Sequence, residues 1–479
     1  MSRHRRLLLT NASIATAEEV RQGALLIEDG VISEIWKADD DGRTMFEGNG
    51  MDFSKIPALI QSGMPDTEIR DLSGKVLMAG GIDAHTHFRE PGLTAKADIQ
   101  SESRAAVLGG VTSFIDMPNT SPAAVSIERI KEKCALAEGR SFANWGFHIG
   151  ATNDNLEALE ELLDTGHGNE FCGIKVFMGS STGNMLVDRQ KALEGLFGIQ
   201  NARILVHSED ESIIRANLET AKAKYGDNIP MREHEIIRSR KACVMSTIKA
   251  LEMAMRHGTK LHITHVTTAE EVEMIRAAKM HNPQISAETS SNYLWFSDED
   301  YERLGSRLKC NPAVKQSSDR QALRQALKDG IIDTVGSDHA PHLPEEKNRP
   351  YTSCPSGVPS IQQSISVLLT VAAEENIPLT RIAAAISERP AELFGIKGRG
   401  RIMKGYTADL IVIDPDKEFI VQKGAAGPAG IEYKCGWSPY EGTRLKGMVE
   451  DVYLNGEPVV LGGRLTGEKA SGLRLAFEK

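Results

Sequence analysis

Two histidines one residue apart, His85 and His87, have the types and spacing that suit metal binding. They follow the apolar run Val76–Ala79 and precede Pro91 and Gly92, a pattern typical of a buried strand that ends in a loop. Residues i and i+2 of a strand share a face, so both imidazoles can bind one metal ion from the same side. The alternative interpretation is a pair of core histidines that hydrogen-bond to neighbouring strands.

Four further apolar runs carry a candidate metal ligand at or near their carboxyl ends. These candidates are Lys175, His207, His265 and Asp338. Taken singly, each has an ordinary structural interpretation, because a histidine at a strand end is often a satisfied core residue and an aspartate there often caps the next segment. Their number and their common position favour a shared metal site.

Lys175 is an unusual candidate ligand, because a protonated ammonium has no lone pair and is repelled by cations. Burial and neighbouring cations lower a lysine pKa. The neutral amine can then add carbon dioxide to form a carbamate, whose two anionic oxygens can bridge two metal ions. We therefore hypothesise a carbamate on Lys175, a modification that the sequence itself does not show.

Arg89, two residues after His87, is expected at the mouth of this site, where its guanidinium suits a carboxylate. Its alternative role is an ordinary salt bridge within a loop. His342, four residues after Asp338, is expected on the same loop and can donate to the same carboxylate, or it can be structural.

Eight short apolar runs must position these groups, and longer segments with a helical period separate them. The runs span 76–87, 111–118, 144–151, 173–179, 204–210, 261–266, 285–290 and 332–339. Eight alternating strand and helix units predict an α/β fold, the TIM (β/α)8 barrel, whose active sites lie at the carboxyl ends of the strands. The candidate ligands therefore gather at one end of the barrel.

Short strand patterns flank the barrel on both sides, and neither flank has enough strands to bury its own faces. We therefore predict that 1–75 and 398–479 combine into one small β-sandwich domain around a barrel formed by 76–397. Residues 37–66 have no clear period, and we interpret them as a surface insertion.

Composition excludes several classes of protein. The chain has 479 residues and a formal net charge of −10, which argues against a nucleic-acid partner and against a basic membrane surface. No apolar run approaches the ~18 residues of a membrane span, and the apolar run near the start is too short for a signal peptide. The six cysteines form no C-x-x-C pair, which fits a reducing cytoplasm.

The candidate ligands, taken in order along the strands, resemble those of the amidohydrolase superfamily in its cyclic-amidohydrolase branch. Within that branch, the segments 88–92, 116–120, 311–312 and 337–342 are similar to the dihydroorotases. The resemblance covers roughly residues 5–40 and 68–465. Some dihydroorotases carry aspartate where Lys175 stands, so this lysine does little to separate them from hydantoinases and allantoinases.

The resemblance implies a role for each site residue. His85 and His87 would hold the first of two divalent metal ions, with zinc favoured over cobalt or manganese. His207 and His265 would hold the second ion, and carboxylated Lys175 would bridge the two. Further roles are implied for Asp338 as a ligand and proton shuttle, and for Arg89, Asn119, Asn311, His342 and the backbone of 355–358 as the substrate-binding groups.

The activity implied by this resemblance is the reversible cyclisation of N-carbamoyl-L-aspartate to L-dihydroorotate, a step of de novo pyrimidine biosynthesis, through a hydroxide between the two metals. It further implies a cytoplasmic homodimer that can associate with aspartate transcarbamoylase. Two alternatives stay open. One is another cyclic amidohydrolase, a hydantoinase (dihydropyrimidinase) or an allantoinase, whose substrates lack this carboxylate. The other is a noncatalytic, dihydroorotase-like partner of aspartate transcarbamoylase, which is disfavoured because all six ligand positions are filled.

Overall fold

The chain begins with strands that belong to a β-sheet outside the barrel. The computed structural model describes residues 5–38, 53–179 and 185–478. The described elements before residue 80 are β1 (Arg6–Ala15), β2 (Val20–Glu28), β3 (Val31–Lys37), α1 (Ile56–Gly63), β4 (Glu68–Asp71) and β5 (Val76–Ala79). They match the short strand patterns that the sequence shows in this region.

Helix α1 corrects the interpretation of residues 37–66 as an insertion without periodic structure. Ile56 and Ile60, one helical turn apart, are both buried against Leu8 and Leu26 of the sheet. An eight-residue helix offers too few turns for its period to stand out in the sequence. Residues 39–52 of this segment lie outside the described part of the chain.

The barrel strands occupy the eight predicted positions. They are β6 (Gly81–Thr86), β7 (Val111–Asp116), β8 (Asn144–Phe147), β9 (Ile149–Gly150), β10 (Ile174–Phe177), β11 (Ile204–His207), β12 (Leu261–Ile263), β13 (Ser286–Ser290) and β14 (Thr334–Gly336). Strands β8 and β9 are two pieces of one barrel strand, and neighbouring strands pair in parallel. The backbone N–H of His87 donates to His339 O at 2.8 Å and closes the ring, which confirms the predicted barrel.

Helices connect these strands and surround the barrel. They are α2 (Ile99–Leu108), α3 (Ile127–Ala137), α4 (Leu156–Asp164), α5 (Gln190–Gly198), α6 (Glu211–Tyr225), α7 (His234–Ile237), α8 (Arg240–His257), α9 (Ala269–Lys279), α10 (Ser291–Trp295), α11 (Asp300–Leu304), α12 (Ser317–Asp329), α13 (Pro344–Lys347), α14 (Ser364–Glu375), α15 (Leu379–Ala383) and α16 (Arg389–Leu393). Thr268 and Glu271 form a capping box at the start of α9. No helix in the described residues is long and apolar enough to cross a membrane.

The last strands complete the first sheet. They are β15 (Leu410–Ile420), β16 (Arg444–Leu454), β17 (Glu457–Leu461) and β18 (Arg464–Leu465). The sheet runs in the order β18-β17-β16-β15-β5-β1-β2-β3, with β4 beside β1, so strands from both chain ends combine as predicted. Leu9, Leu25, Leu77 and Val412 share one apolar core inside it. The strands form one continuous sheet that encloses this core.

The division between barrel and sheet differs from the predicted boundaries at two points. Strand β5 pairs antiparallel with β15, so Val76–Ala79 belongs to the sheet and the barrel begins at Gly81. The sequence does not separate β5 from β6, because the apolar run of β5 leads into β6 with only Gly80 between them. At the other end, Leu475 and Phe477 pack against the barrel residue Ile82.

Candidate metal centre

A cavity of about 260 Å³ lies at the carboxyl ends of the barrel strands. Its lining residues are His85, His87, Arg89, Asn119, Lys175, Phe177, His207, His265, Asn311, Asp338, Ala340, Ser356 and Gly357. Nine of the ten predicted site residues therefore line the same cavity, and His342 is the exception. A larger cavity, of about 910 Å³, lies between α3 and the β17–β18 segment and contains none of them.

His85, His87 and Asp338 form the tightest cluster in this cavity. Asp338 Oδ1 lies 3.5 Å from His85 Nε2 and 3.3 Å from His87 Nε2. Burial lowers the pKa of His87 to about 4. Burial opposes ionisation of Asp338, but the two histidines hold its pKa below the usual value. Neutral imidazoles and an ionised carboxylate are the protonation states that a divalent metal requires.

Each of these histidines contacts a second side chain through its other ring nitrogen. His85 Nδ1 lies 2.6 Å from Glu288 Oε1, and His87 Nδ1 lies 2.8 Å from Asn119 Oδ1. Such partners fix the tautomer and orientation of a ligating imidazole, here with Nε2 left for the metal. Asn119, which we predicted as a substrate contact, therefore also orients a candidate ligand.

The close packing of strands β6, β13 and β14 explains how Glu288 reaches His85. A Cβ atom on Gly336 of β14 would lie 3.0 Å from both Glu288 Oε2 and His85 Cβ. Real Cβ atoms are rarely that close to a neighbour, so glycine at this position allows the contact. The local sequence of β14 thus supports a candidate ligand that lies on β6.

His207 and His265 form the second histidine pair, with ring centroids 4.5 Å apart. His207 Nε2 lies 2.7 Å from Glu209 Oε2, so its Nδ1 is the nitrogen left for a metal. His265 Nδ1 is buried and has no hydrogen-bond partner in the described structure. Burial, together with the neighbouring His207 and Lys175, lowers the pKa of His265 well below its usual value. A buried neutral imidazole with an unpaired nitrogen fits a metal ligand.

Lys175 is completely buried on β10, and its Nζ donates to Thr264 Oγ1 at 3.0 Å. Among the described residues, none of the carboxylates lies within ion-pair distance of its Nζ. Burial lowers the pKa of Lys175 to about 8. A substantial neutral fraction at physiological pH is the condition that carbamate formation needs, so the environment of Lys175 fits the hypothesis.

The donor set as a whole suits divalent metal ions. Imidazole and carboxylate ligands are compatible with zinc, and also with cobalt or manganese. Arg89, His265 and Asp338 have positive φ angles of 66°, 40° and 47°. Residues other than glycine rarely adopt this backbone conformation, and residues strained in this way concentrate at functional sites.

Arg89 is a buried cation in the cavity wall, with 4% of its surface exposed. Its Nε donates to Pro341 O at 3.1 Å, and its second terminal nitrogen, Nη2, lies 3.0 Å from His342 Nε2. None of the carboxylates in the described residues pairs with it. Burial lowers its pKa to about 10, so it stays charged at neutral pH. Nearby, the buried Asn311 Oδ1 has no hydrogen-bond partner in the described structure.

His342 lies behind Arg89 instead of in the cavity wall. Its Nε2 lies 3.0 Å from Ser356 O as well as 3.0 Å from Arg89 Nη2, and its Nδ1 lies 3.0 Å from Lys96 Nζ. Both ring nitrogens thus already have protein neighbours. A direct contact between His342 and a substrate carboxylate stays a prediction that this arrangement does not favour.

Sequence reasoning missed the supporting residues Glu209, Arg238, Glu288 and Lys96. Glu209 could have been found, since it follows His207 by two residues at the end of the same strand. Arg238 Nε donates to both carboxylate oxygens of Glu209, at 3.0 and 3.1 Å. Nothing in the sequence points to Glu288, because the histidine it contacts is 203 residues away along the chain.

Comparison with known proteins places this chain in a family. The model of the amidohydrolase family matches residues 76–459. A dihydroorotase of Methanosarcina mazei is 35% identical over 383 residues, which cover 78% of this chain and 81% of that protein. An allantoinase of Deinococcus radiodurans is 30% identical over 472 residues, which cover 96% of each chain.

A solved structure extends the comparison to the whole fold. The L-hydantoinase (dihydropyrimidinase) from Arthrobacter aurescens matches with a TM-score of 0.85 and 25% identity, and the match covers 98% of this chain and 99% of the other. Dihydroorotases, allantoinases and hydantoinases thus all resemble it. The chain belongs to the amidohydrolase family and is a hydrolase of the cyclic-amidohydrolase branch.

Proposed function

We propose that this hydrolase is a dihydroorotase, which interconverts N-carbamoyl-L-aspartate and L-dihydroorotate. The observation that carries the proposal is Arg89, a buried guanidinium in the wall of the metal cavity without a carboxylate partner in the described residues. A buried charge is costly unless it is paired. The carboxylate that dihydroorotate retains outside its amide bond would supply that pair.

Six residues would hold two divalent ions in this proposal: His85, His87, Lys175 as its carbamate, His207, His265 and Asp338. When bound, such ions lower the pKa of water and polarise a ring amide carbonyl. Asp338 lines the cavity, and its lowered pKa keeps the carboxylate ionised, so it can accept a proton from the attacking water and deliver it to the leaving ring nitrogen.

The loop 355–358 would hold the rest of the ring, and Lys347 fixes its position. The buried Nζ of Lys347 contacts Pro355 O at 2.9 Å, Gly357 O at 3.0 Å and Lys309 O at 3.0 Å. Three carbonyl contacts on one side-chain nitrogen immobilise the backbone beside Ser356 and Gly357, which line the cavity. A loop held in place in this way supports a defined substrate orientation.

The proposal includes the biological setting that the resemblance implies. The enzyme would act in de novo pyrimidine biosynthesis, in the cytoplasm, with zinc as its metal. It would form a homodimer that can associate with aspartate transcarbamoylase. Size-exclusion chromatography with light scattering, with and without added aspartate transcarbamoylase, tests the assembly.

The test of the activity is a side-by-side assay of carbamoyl-aspartate, dihydroorotate, hydantoin and allantoin, with metal content measured on the same sample. We expect turnover of the first two and little of the others, because Arg89 would be left unpaired beside a ring without a carboxylate. Preferred turnover of hydantoin or allantoin would overturn the proposal.

The second candidate is a different cyclic amidohydrolase, favoured by the allantoinase match along almost the whole chain and by the hydantoinase structure. The same assay separates it from the first. Full metal occupancy without turnover of any of the four compounds would instead favour a noncatalytic partner protein.

A further inference from the structure

The imidazole of His342 lies between two cations and one carbonyl. Arg89 Nη2 and Ser356 O are each 3.0 Å from Nε2, and Lys96 Nζ is 3.0 Å from Nδ1. Burial and the cations Arg89 and Lys96 lower the pKa of His342 far below its usual value, so the ring is neutral. A neutral imidazole has one N–H and one lone pair.

The two cations compete for that single lone pair. If Nδ1 accepts from Lys96, Nε2 carries the hydrogen and donates to Ser356 O, and the nearby Arg89 Nη2 finds no acceptor on the ring. If Nε2 accepts from Arg89, Nδ1 carries the hydrogen and faces the ammonium of Lys96, which also carries only donors. Each arrangement places one ring N–H 3.0 Å from a cation that carries only donors. The second also places the Nε2 lone pair 3.0 Å from the carbonyl oxygen of Ser356, an acceptor that then receives no hydrogen from the ring, so the first is favoured.

We infer that Lys96 sets the tautomer of His342 and thereby leaves Arg89 free to bind the substrate carboxylate. This inference rests on the proposed function, since it names Lys96 as a further positioning residue for an anionic substrate. Lys96 is itself held by Glu346 Oε1 at 2.9 Å, and this ion pair fixes the ammonium beside the ring.

The same contacts show what removal of Lys96 would do. Glu346 Oε2 lies 3.5 Å from His342 Nδ1, so Nδ1 could carry the hydrogen and face this carboxylate once the ammonium is gone. Nε2 would then accept from Arg89 and hold its guanidinium away from the substrate. Lys96 therefore acts on Arg89 through His342, without touching the substrate.

Kinetics of five variants test this inference. Lys96→Met should raise the KM for carbamoyl-aspartate about tenfold, the order of one hydrogen bond to a charged group, with kcat little changed. Lys96→Arg keeps a donor at Nδ1 and should restore most of the affinity. In a His342→Ala background the Lys96→Met change should have no further effect. Lys131→Met, on the exposed surface of α3, is the matched control and should leave the kinetics unchanged.

Two kinetic results would overturn the inference: an unchanged KM in Lys96→Met, or the same rise in KM when His342 is already alanine. The tautomer gives a readout independent of turnover. Nitrogen-15 spectra of the histidine-labelled holoenzyme should show His342, identified by its loss in His342→Ala, with hydrogen on Nε2, and on Nδ1 in Lys96→Met. Hydrogen on Nδ1 in the unaltered enzyme would overturn the inference, whereas absence of turnover would overturn only the proposed function.

Discussion

Oε2 of Glu209 lies 2.7 Å from Nε2 of His207, and both side chains are buried. His85 contacts Glu288 through the opposite nitrogen, Nδ1. The first histidine pair therefore offers Nε2 to a metal, while His207 offers Nδ1. Glu288 and Glu209 decide which lone pair His85 and His207 present, as the amide of Asn119 does for His87. These partners determine the geometry of the proposed centre as much as the ligands do.

Glu209→Gln should weaken metal binding at the second position, since the amide removes the charge that orients His207. Loss of such a partner lowers metal affinity by roughly 10- to 100-fold. Titration of the loaded enzyme with a chelator, followed by metal analysis, measures the change. Glu219→Gln, whose side chain is 70% exposed on α6, is the control and should behave as the unaltered protein. Equal retention of metal in both variants would contradict the role of Glu209.

Arg89→Met should lower kcat/KM for carbamoyl-aspartate by roughly 10- to 150-fold, which corresponds to the ~1.5–3 kcal/mol of a hydrogen bond to a charged group. Most of the change should appear in KM, because Arg89 binds a part of the substrate that does not react. Metal content should stay the same. If carbamoyl-aspartate turnover were unaffected, the dihydroorotase proposal would lose its main support.

Lys175→Ala should lower the metal content of the purified enzyme, because it removes the group proposed to bridge both ions. Native mass spectrometry of the unaltered enzyme should show the added mass of one carbon dioxide, and this mass should be missing in the variant. Lys309→Ala is a useful comparison, since burial also lowers the pKa of that lysine to about 8 but it lies outside the cavity wall. No added mass and equal metal content would exclude the carbamate.

Asp83→Asn should reduce the pH dependence of stability between about pH 4 and pH 7. Burial raises the pKa of Asp83 to about 7, so folding favours its protonated form. The protonated Asp83 therefore contributes up to ~4 kcal/mol to the free energy of unfolding. This contribution is fully present below the pKa that the carboxyl has in the unfolded chain, and it is lost as the pH rises through 7. Asp83 accepts from Ser337 N at 3.2 Å, a contact that asparagine can keep. Urea unfolding of both proteins across this range measures the difference, and parallel curves would contradict the assignment.

The barrel was predictable because its strands are short apolar runs with helical segments between them, and its ligands stand at strand ends. His85, His207 and Asp338 are visible in the sequence for that reason. The boundary at Gly80 was not predictable, since β5 and β6 follow each other with one residue between them and the sequence does not show that they pair with different strands.

The partners of the candidate ligands were harder to find than the ligands themselves. Glu288 and Lys96 act on residues distant in the sequence, and an ordinary acidic or basic residue carries no mark of its partner. For His342, the sequence predicts a contact that the fold does not favour. Its position in the sequence next to the eighth strand predicts a substrate contact, whereas the fold places it behind Arg89.

The pairing of β5 with β15 has a consequence for synthesis on the ribosome. Residues 76–79 pair with residues 410–413, so the partner strand emerges more than 300 residues after β5. Domains generally begin to fold as the chain emerges, from the N-terminal side. The barrel strands β6–β14, with all the candidate ligands, therefore emerge while β1–β5 still expose an open edge to the cell. Until the last strands emerge, that edge is the part of the nascent chain most exposed to mispairing.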